Sequence, residues 1–194
     1  GSVASDRAFP VQGMYCASKH AVKGFTDALR LELEEEKAPV SVTLIKPTGI
    51  DTPFPQHAKN YFDREPRLPD PVYAPKEVAQ AILHAATNPV RDLYVGGAAK
   101  VLSVAGRAAP RTTDYIMESG MSGQQLKDEP ARTKEGALHG PVDDGLQERG
   151  GHPRLVMNSS LYTRASMNPW LTGAVMAGAG IAVLGALSAN RASR

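Results

Sequence analysis

Apolar positions in the first 118 residues follow two alternating periods. Between residues 13 and 37, Phe25, Leu29 and Leu33 recur at four-residue steps with Val22 beside them. That spacing predicts an amphipathic helix with these side chains as its buried stripe. Glu34, Glu35, Glu36 and Lys37 make its end polar, and Pro39 stops it. Residues 40–46 (VSVTLIK) are β-branched and nearly continuous, the pattern of a strand covered on both faces, and Pro47 closes it. The Pro-rich stretch 48–74 predicts a loop with a short helix within 54–63. Residues 75–88 predict a second amphipathic helix with Val78, Ile82 and Ala85 on one face. A short strand at 92–95 and a helix over 100–108 follow. Helix, strand, helix, strand in this order predicts an α/β fold with a parallel sheet.

Beyond residue 118 the pattern changes twice. Residues 119–166 keep no period and are punctuated by Gly136, Gly140, Pro141, Gly145, Gly150, Gly151 and Pro153. This segment is expected to be irregular. Residues 167–194 are dominated by one apolar segment, from Leu171 to Leu187, without a charge. As a helix it would span about 26 Å against about 30 Å of hydrocarbon. Trp170 precedes it and Arg191 and Arg194 follow, an interfacial pattern. Ala174, Gly178 and Ala182 form a stripe suited to close helix packing. The expectation is a membrane-anchoring helix, with a helix packed on the domain or on another subunit as the alternative.

Charge and cysteine usage narrow the setting. A net charge of +2 with mixed signs gives no electrostatic case for nucleic acid, and none is expected as a partner. The single cysteine, Cys16, excludes an internal disulfide framework and fits a reducing compartment. The expected location is therefore cytoplasmic, with membrane association through the tail. Cys16 reads as a small buried thiol and His20 as a plain polar helix residue. His57, His84, His139 and His152 lack metal-ligand spacing, so no metal site is expected.

One motif carries chemistry. Tyr15-Cys-Ala-Ser-Lys19 places a phenol and an ammonium four residues apart, on one helix face. A tyrosine hydroxyl is a poor base at neutral pH, but a nearby ammonium favours its phenolate. Such a pair can exchange a proton with a substrate oxygen. Ser2 lies 13 residues before Tyr15, and Pro47-Thr-Gly-Ile-Asp-Thr52 follows the next strand.

With these three motifs in order, residues 1–118 resemble the catalytic, C-terminal half of the short-chain dehydrogenase/reductase family. In that family a serine precedes the catalytic tyrosine by about this distance, and a Pro-Gly-x-Val-x-Thr segment follows the next strand. Pro47, Ile50 and Thr52 match that segment; Thr48 stands where the family usually has Gly, with Gly49 one place later. The resemblance implies a partial Rossmann-like, doubly wound parallel sheet, extended here by the irregular tail and the C-terminal apolar helix. It implies Tyr15 as general acid/base and Lys19 as the group that favours its ionised form and binds the nicotinamide ribose. Ser2 would polarise the substrate oxygen. Pro47, Ile50 and Thr52 would line the nicotinamide side, and NADP or NAD would supply the hydride. The substrate would be a small-molecule alcohol or carbonyl, and the complete protein a homo-oligomer. Residues after Thr52 would form a lid, with Phe54, Tyr61 and Phe62 as candidate lining.

The family's Gly-rich phosphate turn is not found in its place. Thr172-Gly173 followed by Gly178-Ala179-Gly180 imitates it with one residue too many and follows no predicted strand. The chain starts without an initiator Met, directly in a motif. The expectation is thus a catalytic half whose cofactor-binding half is absent, inactive and poorly folded alone because its sheet edge and helix faces are bare. The rival reading is a non-catalytic truncated module that associates through its apolar helix.

Overall fold

A computed structural model describes residues 1–132, 136–141, 146–170 and 172–174. The chain opens on a 3-10 turn, Val3–Ser5, followed by α1 (Gly13–Glu35), β1 (Leu44–Pro47), β2 (Gly49–Ile50) and α2 (Phe54–His57). Next come β3 (Arg64–Pro66), β4 (Val72–Tyr73), α3 (Pro75–Thr87), β5 (Asp92–Val95) and α4 (Gly97–Ala108). Then follow α5 (Pro110–Gly120), β6 (Leu126–Pro130), β7 (Val156–Met157) and α6 (Leu161–Met167).

The centre is a parallel pair, β1 beside β5, in register from Leu44 against Asp92 to Pro47 against Val95. The connection between them runs through α3. Side chains alternate across a strand, and β5 uses both faces. Leu93 and Val95 pack with Ala81 of α3, joined by the partly buried Ile45, Val78 and Met167. Tyr94 turns the other way, onto Val3 and Ala99, with Phe9, Leu102 and Tyr162 around them. Helices therefore cover both faces of the pair, the α/β layering expected from the element order. A second parallel sheet, β2-β4-β7, and an antiparallel pair, β3-β6, flank it.

Gly96 turns the chain out of β5 into α4 at φ 95°, where L side chains are strained. A Cβ there would also meet Thr48 Oγ1 at 2.7 Å and Tyr73 Cε2 at 2.8 Å, so the position accepts glycine alone.

Several expectations are corrected. The stripe of α1 that turns inward is Cys16, Thr26 and Arg30, not Val22, Phe25, Leu29 and Leu33. Phe25 is 70% exposed and Val22 40%, while Leu29 and Leu33 are half-buried. The reason is polar: Arg30 Nε donates to Val42 O at 2.9 Å, a second guanidinium nitrogen donates to Arg91 O, and Asp27 pairs with Arg30 at 2.8 Å. These bonds orient the helix by its arginine, and Val22 and Phe25 face out. In α3 the buried positions are Glu77, Ala81 and Ala85, with Val78 half-buried and Ile82 53% exposed. The strand expected over 40–46 forms at Leu44–Pro47, and the helix expected from 100 begins at Gly97. The stretch 48–74 holds two parallel strands, β2 and β4, besides its short helix and β3.

The segment 119–166, read as irregular, contributes β6, β7 and α6. Polar anchors hold it: His152 N donates to Asp51 Oδ1 at 2.9 Å, Ser160 N to Glu77 Oε2 at 2.9 Å, and Gly96 N to Thr163 Oγ1 at 3.0 Å. The apolar segment 171–187 lies outside the described residues except for 172–174, and so does most of the phosphate-turn imitation. Among the described residues, no helix is long and apolar enough to cross a membrane.

Candidate active site

The 3-10 turn at the start of the chain fixes Ser2. Its Oγ accepts from Ala4 N at 3.1 Å, and its own N–H donates to Ser5 Oγ at 3.1 Å, a reciprocal cap. The Ser2 side chain is buried, and because the cap uses a lone pair, the hydroxyl keeps its proton to donate.

Tyr15 and Lys19 stand one turn apart in the first two turns of α1. The Lys19 ammonium nitrogen lies 5.4 Å from the centre of the Tyr15 ring, within cation–π range. Phe54 of α2 packs against Tyr15, ring centres 5.9 Å apart and tilted by 48°. Pro47 ends β1, and Thr48 N donates to Val95 O at 3.1 Å. Ile50 lies in β2 opposite Tyr73. Asp51 N donates to Tyr73 O at 2.9 Å and Thr52 N to Ile50 O at 2.8 Å, which shapes the turn after β2.

These three segments meet. Ser2, Tyr15, Lys19, Pro47, Ile50 and Thr52 all line one cleft of about 1030 Å³. Pro47 places it at the carboxyl end of β1, where open α/β sheets bind their ligands. Phe54, Tyr61 and Phe62 line it as well. Among the described residues, the Tyr15 hydroxyl, the Lys19 ammonium and the Thr52 hydroxyl have no hydrogen-bond partner. These are the groups a dinucleotide ribose and a substrate oxygen would need, so the donor set fits a nicotinamide cofactor.

Other candidates are placed elsewhere. Cys16 is buried on the inner side of α1 and accepts from Phe9 N at 3.3 Å. His20 Nδ1 lies 2.9 Å from Cys16 O, bonded to its own helix. His152 Nε2 lies 3.3 Å from Asp70 Oδ1. Among the described residues no group of three or more His, Cys, Asp or Glu is placed to hold a metal ion.

The sequence reading missed Asp6. Its side chain is fully buried beside the cleft's serine turn and faces a fully buried Lys46, whose Nζ is 3.1 Å from each carboxylate oxygen. Tyr94 Oη donates to Asp6 Oδ2 at 2.7 Å, Ser103 Oγ donates to it at 2.9 Å, and Arg107 lies at its rim. Burial alone would raise the Asp6 pKa, but the bonds from Tyr94, Lys46 and Ser103 and the Lys46 charge outweigh it, and the carboxyl is held below its ordinary value. The Tyr94 phenol is pushed up to about 12, by burial first and by the Asp6 bond and charge, against an opposing bond to Ser103. A signal existed: Lys46 closes an apolar strand, and a buried ammonium needs a partner. Gln125 was missed for lack of any signal at all.

The α/β core, with helices on both faces, sets Ser2, Tyr15 and Lys19 in one cleft at a strand end, where hydroxyl groups can exchange a proton with a bound oxygen. Residues 1–61 match the family model described as short chain dehydrogenase. The chain is 40% identical over 179 residues to the uncharacterized oxidoreductase YxnA of Bacillus subtilis, covering 92% of this chain and 50% of that protein. It is 31% identical over 126 residues to SadH of Mycobacterium tuberculosis, covering 59% of this chain and 44% of SadH. It is 29% identical over 131 residues to dehydrogenase/reductase SDR family member 7B of Xenopus laevis, covering 65% and 40%. No solved structure matches it. The chain spans half or less of the length of these curated relatives. The matched model and relatives are thus short-chain dehydrogenases and oxidoreductases by their descriptions.

Proposed function

We propose that residues 1–194 supply the catalytic part of an NAD(P)-dependent oxidoreductase of this family, which interconverts an alcohol and a carbonyl. One observation carries the reading: Ser2, Tyr15 and Lys19 line one cleft with Pro47, Ile50 and Thr52, although the segments lie far apart in sequence. In reduction, Tyr15 Oη gives its proton to the substrate oxygen; in oxidation it takes one back. Ser2 Oγ donates a hydrogen bond to the same oxygen and stabilises the charge that develops on it. Lys19 Nζ, one turn from Tyr15, holds the ribose hydroxyls. Pro47, Ile50 and Thr52 bound the nicotinamide side. NADP or NAD, when bound, supplies or accepts the hydride.

The relatives' greater length supports a second part of the proposal, that a dinucleotide-binding half accompanies this one in the native protein and that these residues are inactive without it. Self-association of the native protein, through the outward face of α1 around Phe25, belongs to the same reading. Association with a membrane through residues 171–187 is also proposed, on sequence pattern alone.

The test is Tyr15→Phe in the native protein, assayed by NADH and NADPH oxidation against a panel of ketones and aldehydes. The expected loss is on the order of 10²- to 10⁴-fold. Retained turnover would remove Tyr15 as the proton donor.

A further inference from the structure

The polar side chains around the cleft are mostly committed to the protein itself. Asn60 bonds Arg64 O at 3.0 Å and Phe62 N at 2.9 Å. Arg67 Nε donates to Gln124 O at 3.1 Å, and Asp70 pairs with Arg154 at 2.9 Å. Gln12 and Gln125 bond each other. The groups left without a hydrogen-bond partner among the described residues include Tyr15, Lys19 and Thr52. Much of the remaining lining is apolar, with Leu68, Leu102, Met121 and Leu126 among it. A polyhydroxylated ligand would find few free partners beyond Tyr15, Lys19, Thr52 and Lys59 and would lose much of its hydration without replacement. A molecule with one oxygen end and a large apolar body would match this lining better.

Part of that surface comes from beyond the motifs. Met121, Gln125 and Leu126 belong to the segment after α5, which joins the lid through the antiparallel β3-β6 pair. Gln125 is buried and bonds in two directions. Its backbone oxygen accepts from Arg67 N of the lid at 2.8 Å, and its Nε2 donates to Pro10 O at 2.9 Å. The turn it grips contains Val11 at φ 56°, a strained setting for a β-branched residue, which persists only where neighbours impose it. That turn launches α1 at Gly13, two residues before Tyr15.

We propose that the segment 121–126 is a wall of the substrate site, that it selects a bulky apolar alcohol or ketone, and that Gln125 is the positioning residue holding this wall to the turn before Tyr15. The proposal rests on the reading of the cleft as a short-chain dehydrogenase active site. Calorimetric titration of the native protein with 2-butanone, 2-hexanone and 2-decanone, with the oxidised cofactor NAD or NADP present so that no ketone is reduced, tests it. Burial of a methylene tightens binding roughly fourfold, so Kd should fall on the order of 100-fold along the series even with partial burial. Leu126→Asp and Met121→Asp should flatten the series, weakening 2-decanone far more than 2-butanone. Gln125→Met should weaken 2-decanone about tenfold more than it weakens 2-butanone, a split that a general loss of folding would not produce. Dissociation constants within about threefold of one another, a slope that survives both aspartate variants, or binding by none of the three would overturn it. A flat series with Tyr15-dependent turnover sinks the substrate class alone; turnover that persists in Tyr15→Phe sinks the reaction instead.

Discussion

Lys46 Nζ stands 3.1 Å from both carboxylate oxygens of Asp6, and neither side chain is exposed. The pair ties the serine turn to the central strand, since Asp6 N also closes that turn onto Val3 O at 3.0 Å. Removing Asp6 leaves the buried Lys46 ammonium with only the more distant Asp92, 3.5 Å away, so Asp6→Ala should cost about 3–5 kcal/mol. Replacing both, Asp6→Leu with Lys46→Met, should cost much less. Chemical denaturation of the native protein reads both values. The same pair makes stability acid-sensitive. The folded carboxyl lies below its unfolded value, so its contribution is present above roughly pH 4 and is lost as pH falls through the folded value. Asp6→Asn should show a shallower loss on the acid side; an unchanged acid slope would refute the role.

Tyr94 predicts the opposite limb. Its phenol is raised to about 12, above its unfolded value near 10. The folded state holds this proton more tightly. Its contribution is thus complete below about pH 10 and is lost as pH rises toward 12. Unfolding midpoints measured between pH 9 and 12 should fall less steeply in Tyr94→Phe than in the wild type. Parallel curves would show that the phenol does not titrate on unfolding.

The sequence was informative where one helix face or strand decides its own packing. The strand Asp92–Val95 and the ends of α1 and α3 follow from local pattern and proline punctuation. The Tyr15 and Lys19 pair was readable because four residues on a helix are one turn. Burial on α1 was misread because Arg30, a charged residue, takes the inner face by capping backbone carbonyls near β1. Lys46 signalled a missing partner, but the partner could not be identified as Asp6, which lies 40 positions from Lys46, 88 from Tyr94 and 97 from Ser103. Among the described residues, the elements after residue 120 are short, two to seven residues, and lean on distant side chains rather than on a period of their own.

That dependence is testable at Glu77, buried in the first turn of α3. Its Oε2 accepts from Ser160 N, and Ser160 Oγ in turn accepts from Thr163 N at 3.2 Å, capping α6. Thr163 then accepts from Gly96 N where β5 ends. A chain of three bonds thus runs from α3 through the cap of α6 to the rim of the central strands. Glu77→Ala leaves the buried Ser160 N–H without its acceptor, at a cost of about 1–3 kcal/mol. Glu77→Gln keeps a carbonyl oxygen in place and should cost less. The loss should also be local, because α6 is held to the core by Tyr162 and Met167 in addition to these bonds. Hydrogen exchange is expected to quicken across β7 and α6 in Glu77→Ala while β1 and β5 amides stay protected. Equal acceleration throughout would mean that the tail unfolds together with the core and that Glu77 has no separate anchoring role.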